Sequence, residues 1–229
     1  MFDSLRLSVV QLRVANLAQT AEFYTRRLGF VLVESAAVRV GLAVAAGQPP
    51  ILGLTETPSA PVAPGDAAGL FHAALLLPGR PALGAWLRAA LAQGVAFDGF
   101  SDHGVSEAIY LRDPEGNGLE FYADRPRAAW PFADDGEVAM GTAPLAVSEL
   151  LAQAGAGAGS LAGARWGHLH LRVTRLAPSE AFYRAQLGVT LMQGSYPGAR
   201  FLAADGYHHH LALNTWGAPR RPQPPGARG

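Results

Sequence analysis

The chain has 229 residues, 49% hydrophobic and 16% charged, so it can bury a sizeable core in one or two domains and is too apolar to be disordered. Its 18 basic and 18 acidic residues cancel, which removes any electrostatic case for nucleic acid or a membrane surface as a partner. With no cysteine, disulfides and thiolate metal sites are excluded, and any metal must sit on His and carboxylate.

Met1-Phe-Asp-Ser-Leu-Arg6 has none of the basic start, apolar run or cleavage site of a signal peptide. No stretch approaches the ~20 uninterrupted apolar residues of a membrane span. A cytoplasmic protein is expected.

Taken from the N-terminus, the chain repeats itself. Leu12-Arg-Val-Ala-Asn-Leu-Ala18, then Phe23-Tyr24 and Leu28-Gly29-Phe30, recurs as Leu171-Arg-Val-Thr-Arg-Leu-Ala177, Phe182-Tyr183 and Leu187-Gly188-Val189. Each copy predicts an alternating strand and then a helix, on which Ala21, Tyr24 and Leu28, or Glu180, Tyr183 and Leu187, recur at helical spacing. Leu-Gly closes the helix, with Gly as its C-cap. Three short strands follow: Val31–Glu34, Ala37–Val44 and Pro50–Thr55 in the first copy, and Thr190–Gln193, Ala199–Ala203 and His208–Asn214 in the last.

A diverged middle copy lies between them, with a strand at Leu70–Leu77 and a helix at Pro81–Ala92, Pro near its N1 position and Gly94 as its cap. Its last strands form a hairpin, Glu107–Arg112 and Leu119–Ala123, around Asp113-Pro-Glu-Gly-Asn-Gly118. Pro, Asn and Gly supply the fixed and positive backbone angles of such a reversal. The predicted organisation is a first domain over 5–125, made of modules over 5–57 and 68–125, a linker over 126–164, a third module over 165–216 as part of a second domain, and a Pro/Gly-rich, frayed tail over 217–229.

The stretch around this hairpin resembles the extradiol ring-cleaving dioxygenases of the vicinal-oxygen-chelate (glyoxalase/bleomycin resistance/extradiol dioxygenase) superfamily. The motif is His103, Ile109-Tyr110, Asp113-Pro114-Glu115-Gly116 and Glu120, and Tyr122-Ala-Asp-Arg-Pro-Arg127 narrows the likeness to the catechol 2,3-dioxygenase branch. Ser101 departs from the residue types usual two places before the His. The resemblance implies an α+β fold of repeated βαβββ modules forming cupped, open-barrel mixed sheets. Three modules are counted, and a fourth is missing.

In this family the ligands come from the first and last strands of each module. Carried onto the repeats, those positions are Val9 and Gly53, His72 and Glu120, and His168 and Ala212. The first module is therefore chemically blank, and the resemblance implies a metal on His72, His168 and Glu120. Two imidazoles and a carboxylate with open positions opposite form the facial triad of non-haem Fe(II) oxygenases. Mn(II) tolerates the same ligands. Against this stands the ordinary reading, a hydrogen-bonded core histidine and a solvated strand carboxylate.

His170 shares the strand face of His168 and either lines the cavity or packs. The resemblance implies an acid–base His just upstream of the last strand, and within Tyr207-His208-His209-His210 alignment on that strand favours His209, with His208 and His210 as alternatives. The resemblance gives Tyr110 the task of hydrogen-bonding a metal-bound catecholate, and His103 a supporting place near the dioxygen site. The implied activity is Fe(II)-dependent insertion of both atoms of dioxygen beside a vicinal diol, as in aromatic hydrocarbon catabolism. One alternative is a non-enzymatic drug-binding protein of the bleomycin-resistance type. Another is a glyoxalase- or epimerase-like metalloenzyme, which the missing fourth ligand at Ala212 disfavours. If the second and third modules share the metal, the first has an uncovered apolar cup face carrying Val9 and Gln11, from which a homodimer is expected.

Overall fold

Each of the three repeats folds as a strand, a helix and three further strands, and in each the strands lie in the same order within the sheet. The computed structural model describes residues 5–155, 159–217 and 219–228, so the leader reading at 1–4 and parts of the linker and tail lie outside the described residues. The first repeat comprises β1 (Val10–Val14), α1 (Leu17–Glu22, continued by a π-helical turn over Phe23–Arg27), β2 (Val31–Ala36), β3 (Arg39–Ala43) and β4 (Leu52–Glu56). The second comprises β5 (Gly69–Leu76), α2 (Arg80–Ala92), β6 (Gly99–Asp102), β7 (Ser106–Arg112) and β8 (Gly118–Asp124). After β9 (Ala143–Pro144) and α3 (Val147–Ala152), the third comprises β10 (Arg165–Arg172), α4 (Leu176–Leu187), β11 (Thr190–Gln193), β12 (Ala199–Ala203) and β13 (Leu211–Asn214).

The first repeat forms its own sheet, β1-β4-β3-β2. The other two merge into one nine-stranded sheet, β11-β12-β13-β10-β5-β8-β7-β6-β9. Its centre is the antiparallel pair β5–β10, and outward from it the four strands of each repeat match, with β9 added beyond β6. The architecture is α+β, with mixed, curled sheets.

Period-two alternation divides the strands between two environments. Leu119, Phe121 and Ala123 of β8 and Ala73 and Leu75 of β5 face the main core, whereas Glu120, Tyr122, His72 and Ala74 face the other way. Trp86 of α2 stacks flat on Phe121, with centroids 3.7 Å apart, and its Nε1 donates to the Leu28 carbonyl at the end of the first repeat's helix. That one side chain packs the strand of Glu120 onto two helices, and its truncation to Ala would cost about 3–5 kcal/mol.

The turn of the hairpin is held by Asp113. Its carboxylate accepts from the Glu115 and Asn117 amides, the Asn117 side chain and the Tyr24 hydroxyl, at 2.9–3.0 Å. Gly118 must lack a side chain, because a Cβ there would fall 2.1 Å from the Phe71 carbonyl oxygen.

Four expectations need correction. The strand expected from His208 starts only at Leu211, because Asp205 and Gly206 turn the chain through positive φ and the His triplet runs irregularly behind them. The tail is not frayed: the Ala63 amide donates to the Arg228 carbonyl, the Ala68 amide to that of Arg221, and the Arg228 guanidinium pairs with Glu115 at 2.6 Å. The linker contributes β9, paired to β6, and an apolar cluster of Trp130, Val138 and Met140 packed on Phe201 and Ala212.

Lastly, the cup face of the first repeat is mixed and not apolar throughout: Val9 is 42% exposed there, beside polar side chains. Gln11 and Arg13 are exposed on it, Gln11 lies over Gly53, and Glu34 pairs with Arg39 at 3.6 Å. Exposed apolar side chains also lie on α4, where Phe182 is 58% and Leu187 46% exposed. No described helix is long and apolar enough to cross a membrane.

Candidate active site

The cup side of the nine-stranded sheet encloses a cavity of about 450 Å³. Strand register decides which side chains meet there. Glu120 lies opposite Ala74, so His72 is two residues before its partner position, and Ala212 likewise lies opposite His170, two residues after His168. Across the central pair, His72 lies opposite His170 and His168 opposite Ala74. A bulge between Trp166 and His168 sends the indole into the main core and the imidazole into the cup. Gly167 permits this, for a Cβ there would fall 1.7 Å from the Tyr122 hydroxyl.

The result is a buried cluster of His72, Glu120 and His168, whose donor atoms lie within 4.8 Å of one another. Glu120 Oε2 is 2.9 Å from His72 Nε2 and 3.1 Å from His168 Nε2. Despite that proximity, His72 Nε2 has no aligned hydrogen bond, and His168 Nδ1 is also unpartnered. Orphaned buried ring nitrogens, that of His72 beside a carboxylate, are costly unless something else occupies them.

Burial works against the Glu120 charge, but His168 and His72 outweigh it and hold the carboxyl well below the usual range. Burial pushes His168 down to about 4 despite Glu120. A metal binds the deprotonated carboxylate and the neutral imidazoles. By geometry and donor chemistry, the three residues fit a divalent cation. The fourth strand position, Ala212, offers a methyl group.

His170 lines the same cavity but differs in its bonding. The Asn214 side-chain amide, oriented by accepting from the Trp216 backbone amide, donates to His170 Nε2 at 3.0 Å. That nitrogen is engaged, and burial lowers the ring's pKa well below the ordinary value.

All three residues of the His triplet are buried, and of these His209 lines the cavity. Its ring packs on His168, with centroids 4.0 Å apart. Burial holds its pKa well below the ordinary value.

His103 and Tyr110 also line the cavity and are bonded to each other, Nε2 to hydroxyl, at 2.7 Å. His103 Nδ1 lies 2.7 Å from the Gly141 carbonyl, which can only accept, so Nδ1 carries the proton. In the neutral ring Nε2 then accepts from Tyr110, and the phenol proton points at His103 and away from the cavity. A doubly protonated His103 would reverse that bond and turn the phenol proton toward a ligand. Burial, and then the Glu120 charge, raise the Tyr110 pKa well above the usual phenol value.

The remaining wall is aromatic and in part unforeseen. Phe71, Tyr196, Phe201 and Trp216 line it, with Met140, Gly141 and Thr142 from the linker. Strand alternation could have flagged Phe201, two residues after Ala199 on the face of Ala212. The linker residues carry no periodic signal.

Residues 6–121 match the family model described as Glyoxalase/Bleomycin resistance protein/Dioxygenase superfamily. The chain is 39% identical over 228 residues to the catechol-2,3-dioxygenase of Bacillus subtilis (strain 168), covering 97% of this chain and 79% of that protein. A solved structure of a candidate dioxygenase from Bacillus subtilis subsp. subtilis strain 168 superposes with a TM-score of 0.60 at 14% identity, over 97% of this chain and 67% of that one, a likeness of fold.

Proposed function

The chain belongs to the glyoxalase/bleomycin resistance protein/dioxygenase superfamily, and within it we propose that it is an Fe(II)-dependent extradiol dioxygenase acting on catechol or a substituted catechol. The observation that carries this reading is the convergence of His72, Glu120 and His168, two of their buried ring nitrogens unpartnered, on the wall of a cavity sized for a small molecule. The 39% identity to a catechol-2,3-dioxygenase supports the choice of reaction. Ala212 supports it too, since three protein ligands leave room for a chelating diol and dioxygen, where a fourth would favour glyoxalase-type chemistry. His72, His168 and Glu120 would hold the iron, which when bound supplies the redox chemistry between diol and dioxygen.

The chain's other residues have separable tasks. His209, neutral and buried against His168, accepts a proton from a catechol hydroxyl. Tyr110, kept protonated by burial, offers a phenol whose direction depends on His103. Phe71, Phe201 and Trp216 face the flat ring and exclude water from it.

The test is anaerobic Fe(II) loading of the full chain followed by oxygen uptake with catechol. Catechol-dependent uptake by the iron-loaded protein is expected. Tight catechol binding with no uptake would favour a binding protein instead.

A further inference from the structure

Behind His209, outside the cavity wall, lies a chain of polar groups with no part in the reading above. His208 is fully buried, its Nδ1 2.7 Å from His209 Nδ1 and its Nε2 2.9 Å from Asp124 Oδ1. Asp124 ends β8, four residues beyond Glu120, and its side chain is 26% exposed. Its oxygens also accept from the Tyr207 hydroxyl at 3.0 and 3.2 Å, and that hydroxyl is 2.9 Å from the one on Tyr122.

With His208 as a neutral ring, the direction of every proton follows from the one group that can only accept. Ionised Asp124 has no proton to give, so His208 Nε2 donates to it. A neutral His208 then presents a lone pair at Nδ1. His209 must donate from its own Nδ1 to meet that lone pair, which leaves His209 Nε2 as the unprotonated nitrogen of a ring that lines the cavity. We propose that Asp124 and His208 are positioning residues that lock His209 in the Nδ1–H tautomer, so that its Nε2 can take a proton from the substrate hydroxyl. The O–H bond of the substrate breaks, an N–H bond forms at Nε2, and the Asp124 carboxylate offsets the positive charge that arrives on the pair of rings. The purpose of this lock rests on His209 being the acid–base residue, whereas the lock itself is a property of the apoprotein.

Asp124→Asn perturbs this chain at its fixed acceptor. The Tyr207 phenol proton is best met by the amide oxygen, which turns the amide N–H toward His208 Nε2. That nitrogen must then become an acceptor, His208 donates from Nδ1, and His209 is left with its proton on Nε2, the wrong nitrogen for a base.

Long-range proton–nitrogen NMR on the metal-free, histidine-labelled full chain reads the tautomers directly. Wild type should show His209 as Nδ1–H, and Asp124→Asn should show Nε2–H. In the iron-loaded protein, kcat of Asp124→Asn should fall ~10²–10⁴-fold with KM within about threefold and iron content unchanged, and Asp124→Glu should recover most of the loss. An Nε2–H tautomer in wild type overturns the proposal, whether or not any variant folds. So does full turnover by Asp124→Asn alongside an inactive His209→Ala. Normal turnover by His209→Ala would instead sink the acid–base reading, while the NMR result still decides the lock.

Discussion

Glu120→Gln separates metal binding from folding, because it replaces the cluster's charge and keeps its shape. The carboxylate is 2% exposed and is the cluster's anion, with His72 and His168 within 3.1 Å. A pair of unit charges about 4 Å apart at an effective dielectric of ~20 interacts by about 4 kcal/mol. A divalent ion held by direct ligation gains at least that from the carboxylate, so its loss should raise the metal Kd by about a thousandfold or more.

The apoprotein should respond differently. The amide can still accept from His168, and it avoids burying a charge, so metal-free stability should stay within about 1 kcal/mol of wild type. Anaerobic titration with Fe(II), iron analysis after gel filtration and urea unfolding of both apoproteins make the comparison. Stoichiometric iron at unchanged affinity in Glu120→Gln would refute the assignment of the cluster. A collapse of apoprotein stability would instead make Glu120 a structural group.

Tyr24→Phe removes one of four donors to the buried Asp113 carboxylate, a charge-assisted bond worth about 1.5–3 kcal/mol. Urea unfolding should show that loss at unchanged m, and a loss under 0.5 kcal/mol would mean the bond does not tie the first repeat to the hairpin. Tyr110→Phe should keep its iron but lower kcat/KM by about 10²-fold, measured by steady-state oxygen uptake. An unchanged kcat/KM would confine Tyr110 to packing on His103.

Much of this was legible because the signals were periodic. The repeated Leu-Arg-Val and Leu-Gly segments marked the first and third modules, with a diverged copy between them, and the family's ligand positions carried onto these repeats pointed to His72, His168 and Glu120, which the fold brings together. The Asp113-Pro114 turn was equally readable, since Asp, Pro, Asn and Gly each have a backbone reason to be there. The His triplet was harder, because three identical residues on irregular backbone carry no alternation to say which one faces the cavity. Gly141 is a further blind spot: it acts on His103 through its carbonyl oxygen, which any residue type would supply. The tail escaped because it docks through main-chain bonds and through ion pairs of Arg228 with Glu115 and Arg221 with Asp66, residues too far apart in sequence to form a local pattern. The expected apolar cup face on the first repeat failed where Gly53 and Gly41 admit the polar side chains of Gln11 and Glu34 over the sheet.

The central claim, that this cavity carries out extradiol cleavage with both oxygen atoms retained, is tested most directly by isotope labelling. The Fe(II)-loaded full chain is given catechol under labelled dioxygen, and the product is analysed by mass spectrometry after rapid quenching. The account predicts a ring-opened semialdehyde cleaved beside the diol, with two labelled atoms at first formation and one dioxygen consumed per catechol. A product cleaved between the hydroxyls, one carrying a single label, or recovery of unreacted catechol from protein with full iron occupancy would contradict it.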